Sequence, residues 1–257
     1  MNSEWAIVNE SREVRRERCK VKLLPFAFDV LHLSFVSFTI HHHLPYLAAM
    51  EITSAKYLIS SPGYLKCPPP DRPEYAFIGR SNVGKSSLIN MLCNNHKLAK
   101  TSASPGKTQM INHFSIESTS ADRNTGQWYI VDLPGYGFAK VSQQQRKQWQ
   151  QMTEDYLRRR PNLMNVFVLV DSRHRPQKAD IDFTNLLGEW GVPFSIVFTK
   201  ADKATQQEVS KNIKLYLNEM KKYWEFLPAS YATSTVKKLG RNKILDAIGE
   251  MNKLFEG

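Results

Sequence analysis

The stretch that decides the fold is Gly79-Arg-Ser-Asn-Val-Gly84-Lys85-Ser86, which matches the pattern G-x-x-x-x-G-K-[ST] in full. Residues 75–78 come directly before it and form an apolar run, which predicts a buried strand ending at the first glycine. Apolar positions within residues 88–92 follow, and they predict a helix from Lys85 to Leu92. A strand, a glycine-containing loop and a helix in this order predict a phosphate-binding loop.

The residue types of this loop suit a phosphate ligand. Glycine lets the backbone curl so that successive N–H groups point at phosphate oxygens, and the N-terminus of the following helix favours an anion. Lys85 would place a positive charge near the β- and γ-phosphates, and the Ser86 hydroxyl is the expected Mg²⁺ ligand. The residues predicted to contact nucleotide in this segment are Gly79, Arg80, Ser81, Asn82, Val83, Gly84, Lys85, Ser86 and Ser87.

Beyond this loop, short apolar runs alternate with amphipathic stretches. Further strands are predicted at residues 128–133, 166–170 and 194–198, with weaker candidates at 112–117 and 226–232. Further helices are predicted at residues 142–160, 178–190, 206–223 and 242–255. Apolar strands alternating with amphipathic helices predict an α/β fold, in which helices cover both faces of a mainly parallel sheet.

A second motif, Asp132-Leu-Pro-Gly135, lies at the end of the predicted strand 128–133. An aspartate at the carboxyl end of such a strand can hold Mg²⁺, and the N–H of Gly135 can approach a γ-phosphate. After a complete phosphate-binding loop, this motif indicates the second half of a nucleotide site. Its predicted site residues are Asp132, Leu133, Pro134 and Gly135.

A third motif, Thr199-Lys200-Ala201-Asp202, directly follows the predicted strand 194–198. The carboxylate of Asp202 can accept hydrogen bonds from guanine N1–H and from the exocyclic amine. Adenine offers no such pair of donors, and a buried polar group left unpaired costs about 1–3 kcal/mol. The motif therefore favours guanine. The polar segment Thr233-Ser234-Thr235 ends the last candidate strand and is predicted to line the base through backbone N–H groups.

Composition favours a globular protein with an anionic partner. The formal net charge is +11 over 257 residues. Residues 1–49 carry six basic and five acidic side chains, so almost all of this charge belongs to residues 50–257. Nucleic acid, an anionic membrane surface and a phosphorylated ligand are the candidate partners, and a solvated basic surface with no such partner is an equal alternative on charge alone. The chain contains three cysteines, none spaced as a pair, which argues against disulfides and zinc and favours a reducing cytoplasm.

Residues 1–49 differ from the rest of the chain. Their segments follow the order of a signal peptide: a basic stretch at residues 12–22, then an apolar run at 23–40, then a segment of small residues. Asp29 in the apolar run opposes this interpretation, because a central aspartate costs ~3 kcal/mol on membrane insertion. A membrane anchor stays an alternative. We favour an N-terminal extension upstream of a true start at Met50, which mapping the native N-terminal peptide would test.

Together these motifs resemble those of the EngB-type GTP-binding proteins, within the TrmE-Era-EngA-EngB-Septin-like GTPases. The resemblance is carried by residues 79–90, by Thr101-Ser-Ala-Ser-Pro-Gly106-Lys107-Thr108 with its continuation to Phe114, by Asp132-Leu-Pro-Gly-Tyr-Gly-Phe-Ala-Lys140 and by residues 234–240. It covers residues 50–257, whereas residues 1–49 have no counterpart in the family.

The resemblance implies a single P-loop GTPase domain with a six-stranded, mostly parallel sheet flanked by helices. It implies that Gly106, Lys107 and Thr108 form a switch loop, with Ser86, Thr108 and Asp132 around Mg²⁺. Lys85, Thr108 and Gly135 would then act on the γ-phosphate of GTP. It further implies a monomer that cycles between GTP and GDP, does not bind membranes, and binds the large ribosomal subunit or its precursor during assembly.

Two positions refine this expectation. Tyr136 follows Gly135, where many GTPases carry a glutamine that orients the attacking water, so slow intrinsic hydrolysis is expected. Related GTPases with a P-loop asparagine at the position of Asn82 often use K⁺ as a charge-bearing element, and K⁺ is therefore a further candidate cofactor.

Bunched basic residues offer a possible contact with RNA phosphates. They occur at residues 158–160, 173–175, 221–222 and 237–243. Favourable placement at helix C-termini would explain each cluster equally well. Two other functions stay open: a P-loop NTPase whose turnover is its main task, and a GTPase tethered to a membrane by residues 23–40.

Overall fold

The computed structural model describes residues 50–100, 110–120, 123–136 and 142–255. The predicted N-terminal extension at residues 1–49 and the predicted switch residues Gly106, Lys107 and Thr108 lie outside them. The structure therefore does not test the predictions for these two segments.

Seven strands form one sheet within the described residues. They are β1 (Glu51–Ser61), β2 (Glu74–Gly79), β3 (Ile111–Thr119), β4 (Thr125–Asp132), β5 (Leu163–Asp171), β6 (Phe194–Thr199) and β7 (Ser230–Ala232). Their order across the sheet is β1-β3-β4-β2-β5-β6-β7. Strand β3 runs antiparallel to β1 and β4, and the four other pairings are parallel. The predicted α/β fold with a mostly parallel sheet is confirmed.

The sheet has one strand more than the predicted six, and the additional strand is β1. Strand β1 lies at the sheet edge, and each of its residues except Ser61 is at least partly exposed. An edge strand with this exposure lacks the buried apolar run from which the other strands were predicted. Two register irregularities, at Ile52/Ser54 and at Tyr57/Ile59, further interrupt any alternation.

Five α-helices occupy the positions that the amphipathic periodicity predicts. They are α1 (Lys85–Leu92), α2 (Gln143–Arg159), α3 (Lys178–Glu189), α4 (Gln206–Met220) and α5 (Arg241–Asn252), and a 3₁₀ turn spans Tyr64–Lys66. Local side chains define two of the starts. The Ser142 hydroxyl accepts from the N–H of Gln145 ahead of α2, and Thr205 and Glu208 form a capping box at α4.

Alternating residues of β2 divide the core between the two faces of the sheet. Tyr75 and Phe77 pack in the cluster that contains α1 and α5, whereas Ala76 and Ile78 pack in the cluster that contains α2 and α3. Helix α4 joins a third cluster against β5 and β6. Because helices cover both faces, the loops at the carboxyl ends of the parallel strands are the accessible place for a ligand. No helix among the described residues has both the length and the apolarity needed to cross a membrane.

Candidate nucleotide-binding site at the carboxyl edge of the sheet

The predicted phosphate-binding loop joins β2 to α1, as its sequence requires. Gly84 has φ +105° and Asn82 has φ +62°, so two left-handed residues curl the backbone ahead of the helix. A Cβ on Gly79 would lie 2.8 Å from the carbonyl oxygen of Leu169 in the neighbouring strand. Glycine is therefore required at this position for packing, and at Gly84 for backbone conformation.

The other predicted loop residues surround this curl. The N–H of Val83 donates to the carbonyl of Arg80 over 3.2 Å, which tightens the turn. The Val83 side chain belongs to the core, so only its backbone is available to a ligand. Ser81 is exposed, and Ser86 and Ser87 are half-buried in the first turn of α1. This arrangement places backbone donors and hydroxyls at the N-terminus of α1, where an anion is favoured.

Lys85 and Asp132 connect the first two motifs. The Lys85 ammonium donates to the carboxylate of Asp132, which ends β4. The two side chains are 11% and 4% exposed. Among the described residues, the structure gives each of these charged groups no other hydrogen-bond or ion-pair partner. Nearly buried charges with a single partner are costly, and a phosphate and a cation would supply further ones.

The donor set fits magnesium bound together with a nucleotide. Ser86 and Asp132 offer hard oxygen ligands, and Mg²⁺ is commonly held by one or two protein groups, substrate phosphates and water. The described residues contain no group of three or more His, Cys, Asp or Glu side chains that could hold a metal alone.

The Asp132-Leu-Pro-Gly135 segment leaves the sheet next to the phosphate-binding loop. The N–H of Leu133 donates to the carbonyl of Phe77 over 3.0 Å, and its side chain is buried in the core. Pro134 is also buried, whereas Gly135 is partly exposed. A parallel bridge then pairs Tyr136 with Arg80. The segment is thus anchored by its middle residues while Gly135 stays accessible.

Tyr136 points to helix α3. Its hydroxyl donates to Asp180 Oδ1 over 2.9 Å, and its ring stacks on Phe183 at a centroid distance of 4.3 Å. Burial raises the pKa of Tyr136 well above its ordinary value and also raises the pKa of Asp180. The tyrosine hydroxyl is therefore protonated and bonded to a buried carboxyl group. Asp180 was not predicted from the sequence, because nothing near it in the chain indicates this contact.

The third motif is hydrogen-bonded to the phosphate-binding loop. The buried hydroxyl of Thr199 donates to the carbonyl of Val83 over 2.7 Å. Lys200, at φ +60°, donates from Nζ to the carbonyl of Asn82 over 2.6 Å. The hydroxyl of Thr199 therefore supports the loop.

Asp171 at the end of β5 holds Lys200 in place, and sequence reasoning missed it. Its Oδ2 accepts from Lys200 Nζ over 2.9 Å, and Arg173 forms a two-pronged contact with both carboxylate oxygens. Burial alone would raise the pKa of Asp171, but hydrogen bonds from Arg173 and Lys200 hold it well below the usual range. The carboxylate is thus ionised and fixed between two cations.

Asp202 lies beside the segment predicted to line the base. Its Oδ1 accepts from the Ser234 hydroxyl over 2.6 Å, and this hydrogen bond lowers the pKa of Asp202. The N–H of Ala201 donates to the carbonyl of Thr233 over 3.0 Å. Thr233 and Ser234 are buried against the motif, whereas Thr235 is exposed. The structure therefore brings two of these three predicted residues next to the motif that is predicted to bind guanine.

The predicted site residues within the described part of the chain lie at the ends of β2, β4 and β6, in the segments after β2, β4, β6 and β7, and in the first turn of α1. Strands β2, β4, β5, β6 and β7 are joined by parallel pairings, so these loops share the carboxyl edge of the sheet. The predicted phosphate and base ends are joined directly by the contacts from Thr199 and Lys200 to the phosphate-binding loop.

Comparison with known proteins agrees with this geometry. Residues 74–200 match the sequence profile of a family described as 50S ribosome-binding GTPase. The probable GTP-binding proteins EngB of Phocaeicola vulgatus and Bacteroides fragilis are each 52% identical to this chain over 204 residues, covering 79% of it and 98% of the relative.

Solved structures show the same fold at lower sequence identity. Era of Aquifex aeolicus bound to GDP and aluminium tetrafluoride is 22% identical, with a TM-score of 0.57. Era in complex with MgGDPNP and a segment of 16S ribosomal RNA is also 22% identical, with a TM-score of 0.58. Each match covers 72% of this chain and 57% of the Era chain. The chain belongs to the EngB family of GTP-binding proteins and is a GTPase that binds guanine nucleotide.

Proposed function

We propose that this GTPase is a guanine-nucleotide switch whose GTP form binds the large ribosomal subunit or its precursor during assembly. The observation that carries the proposal is the match of residues 74–200 to a family of 50S ribosome-binding GTPases. The net charge of residues 50–257, close to the +11 of the whole chain, supports an RNA-rich partner. The cytoplasm is the proposed location, because ribosomal subunits are assembled there.

In this proposal, Asp202 selects guanine. One of its carboxylate oxygens accepts from Ser234, which fixes the orientation of the group. The carboxylate retains lone pairs for the N1–H and amino group of guanine, whereas adenine would leave them unpaired. The contacts of Thr199 and Lys200 with the phosphate-binding loop hold the base end of the site at a fixed position relative to the phosphate end.

The phosphates would lie at the loop between Gly79 and Ser87, with Lys85 near the β- and γ-phosphates. Ser86, Asp132 and Thr108 would hold Mg²⁺, which neutralises phosphate charge when bound. The N–H of Gly135 would contact the γ-phosphate, and so distinguish GTP from GDP. Tyr136 cannot place water as a glutamine amide does, and its hydroxyl already donates to Asp180, so slow intrinsic hydrolysis is expected.

We also propose K⁺ as a second ion near Asn82. The Asn82 carbonyl accepts from Lys200, and its exposed side chain leaves an amide oxygen for a cation. The test is to compare subunit-stimulated GTP turnover in K⁺ and in Na⁺ at equal ionic strength. A faster rate in K⁺ supports the site, and equal rates would refute it.

Co-sedimentation tests the ribosomal function. The full chain is mixed with large subunits or their precursors in a non-hydrolysable GTP analogue, GDP or a non-hydrolysable ATP analogue. We expect pelleting with the GTP analogue alone. The Asp202→Asn variant should not pellet with the GTP analogue. It should pellet again with the corresponding xanthosine analogue, because an amide side chain can pair with the xanthine carbonyl. Wild-type protein that pellets in no nucleotide state would contradict the proposed function.

A further inference from the structure

Two neighbouring loops on the face of the sheet that carries α1 and α5 are basic and contain no acidic residue. We define the lysine loops as residues 94–100, which follow α1, and residues 235–243, which follow β7 and enter α5. Neither contains Asp or Glu, and the first acidic residue after the second loop is Asp246. Their basic residues are Lys97, Lys100, Lys237, Lys238, Arg241 and Lys243.

The first lysine loop is held in shape by one buried side chain. The amide of Asn90 in α1 donates to the carbonyls of His96 and Ala99, each over 3.0 Å. Its oxygen accepts from the N–H of Ala99 over 2.7 Å. The N–H of Lys97 also donates to the Asn95 side chain over 3.1 Å. The exposed residues of the loop are therefore presented on an ordered backbone.

The second lysine loop is closed by its own backbone. Ser234 and Leu239 exchange two backbone hydrogen bonds, of 3.2 and 3.0 Å. Gly240 follows at φ +78°, where a Cβ would lie 2.4 Å from the carbonyl oxygen of Ala232. This short turn exposes Lys237 and Lys238 together with the side chain of Val236.

The two loops contact each other. The Arg241 guanidinium donates to the carbonyls of Met91 and Leu92 at the end of α1, over 2.8–3.1 Å. Lys238 Nζ lies 3.4 Å from Asn94 Oδ1. Arg241 therefore serves as a cap for α1 and joins the loops, whereas the lysines remain at the surface.

The lysines of these loops differ from other surface lysines in their partners. In the part of the chain that the structure describes, no carboxylate forms an ion pair with Lys97, Lys237, Lys238 or Lys243. This contrasts with Lys178, which pairs with Asp182 on its own helix, and with Lys222, which follows α4 and pairs with Glu219 in its last turn. A soluble surface alone would not require this segregation of charge, because mixed signs serve solubility as well.

We propose that the lysine loops bind the phosphodiester backbone of RNA, and that ribosomal RNA is their partner in the subunit; this rests on the proposed ribosomal function. Ordered loops lose little conformational entropy on binding, and unpaired lysines can displace the counterions of phosphates. Exposed Asn94, Asn95 and His96 add hydrogen-bonding groups for phosphate and sugar oxygens. An RNA partner fits these groups better than a basic or apolar protein surface.

The same surface is linked to the guanine end of the nucleotide site. The N–H of Lys237 donates to the Ser234 hydroxyl over 3.1 Å, and that hydroxyl donates to Asp202. One serine therefore orients both the carboxylate assigned to guanine and the turn that presents the lysines. RNA binding through these loops is expected to be strongest when guanine nucleotide is bound.

The test compares two double variants that remove the same charge from different places. Lys237→Gln with Lys238→Gln changes the second lysine loop, and Lys221→Gln with Lys222→Gln changes two exposed residues directly after α4. Each is assayed for binding to large subunits with a GTP analogue across a series of salt concentrations. Fluorescent GDP binding checks the nucleotide site in both. We expect the first variant to bind subunits about tenfold more weakly, with a salt slope reduced by about 1–2, since each phosphate contact contributes about 0.7–0.9. The second should match wild type.

The outcomes separate this inference from the proposed function. If wild type binds subunits and the two variants bind equally well, the lysine loops are not the binding surface, and the ribosomal function stands. If wild type does not bind, both proposals are wrong. Filter binding to isolated large-subunit rRNA identifies the ligand: weaker binding by the first variant alone supports RNA. Loss of subunit binding with unchanged rRNA binding would assign the loops to a ribosomal protein instead and overturn the inference.

Discussion

Two buried ion pairs lie at opposite ends of the parallel strands. Each joins a carboxylate to a basic side chain, but their surroundings differ. Lys85 and Asp132 lie at the carboxyl edge, where the structure gives each charged group only the other as partner among the described residues. Glu74 and Arg160 lie at the amino end of β2. Arg160 Nε and Nη2 donate to Glu74 over 2.9 and 2.6 Å, and the Tyr156 hydroxyl donates over 2.6 Å.

The second pair is completed by the protein itself. Arg160 also donates to the carbonyl of Pro68, and His113 Nε2 lies 3.3 Å from Glu74. Burial alone would raise the pKa of Glu74, but His113 and Arg160 lower it to about 2. A buried pair whose hydrogen bonds are satisfied by protein holds the fold. A buried pair with unfilled bonding capacity is available to a ligand, which is why we propose that the Lys85–Asp132 pair, and not the Glu74–Arg160 pair, takes part in nucleotide binding.

The largest expected effect is on nucleotide binding by Lys85→Ala. Lys85 would pair with the phosphates of the bound nucleotide, and truncating one partner of such a buried charge pair costs about 2–5 kcal/mol, so affinity for fluorescent GDP should fall by ~30-fold or more. Lys178→Ala is the control, because that exposed lysine pairs with Asp182 on its own helix. If Lys85→Ala binds GDP as tightly as the control, the Lys85–Asp132 pair does not take part in nucleotide binding.

Glu74→Gln should have the opposite pattern. It leaves Arg160 buried without its carboxylate, so we expect the free energy of unfolding in urea to fall by about 3 kcal/mol. GDP affinity of the folded protein should stay at the wild-type value, because Glu74 is remote from the nucleotide loops. Glu117→Gln, at an exposed position of β3, is the control. A nucleotide defect with unchanged stability would reverse the assigned roles.

The acid limb of the stability curve tests the same pair. The pKa of Glu74 falls from an ordinary value of about 4.5 to about 2 on folding, so the folded state favours the carboxylate. Its stabilisation is complete above pH ~4.5 and is lost as pH falls towards ~2, amounting to about 3 kcal/mol. Urea unfolding between these values should be less pH-dependent in Glu74→Gln than in wild type. Identical slopes would contradict the assignment.

Thr199→Val should weaken nucleotide binding by about tenfold, because a lost hydrogen bond to the buried Val83 carbonyl costs about 1–2 kcal/mol. Thr184→Val is the matched control, since the hydroxyl of this buried threonine donates to the carbonyl of Ile181 within α3. Titration with fluorescent GDP measures both variants. Equal affinities would show that the hydroxyl of Thr199 does not support the loop.

The smallest effect is expected from Tyr136→Phe. Asp180 is a third buried carboxyl group. It shares one property with each ion pair: like Asp132 it lies near the candidate nucleotide site, and like Glu74 it accepts a tyrosine hydrogen bond. Losing the tyrosine hydroxyl should lower the free energy of unfolding by about 1 kcal/mol and leave single-turnover GTP hydrolysis unchanged. Slower hydrolysis at unchanged stability would instead assign the hydroxyl to the attacking water.

Sequence reasoning worked where a contact lies within one motif or beside it. The glycines of this loop lie within one turn, so the curled backbone and the flanking β2 and α1 could be predicted. It failed for β1, which pairs only at the sheet edge, and for Asp171 and Asp180, whose partners Lys200 and Tyr136 lie far along the chain.

The Glu74–Arg160 pair was missed for the same reason. Its two residues are 86 positions apart, and only the parallel pairing of β2 with β5 brings them together. A glutamate before an apolar run and an arginine ending a helix are each common, so neither indicates a buried ion pair. Three-dimensional contacts were needed to separate the charges that hold this fold from those available to a nucleotide.

The most direct test of the assembly function is the ribosome profile of cells depleted of this protein. Sucrose-gradient sedimentation should show immature large subunits accumulating, with fewer complete ribosomes and normal small subunits. Expression of wild type should restore the profile, and Lys85→Ala should not. Depleted cells with a normal large-subunit peak, or equal rescue by Lys85→Ala, would contradict a nucleotide-dependent role in large-subunit assembly.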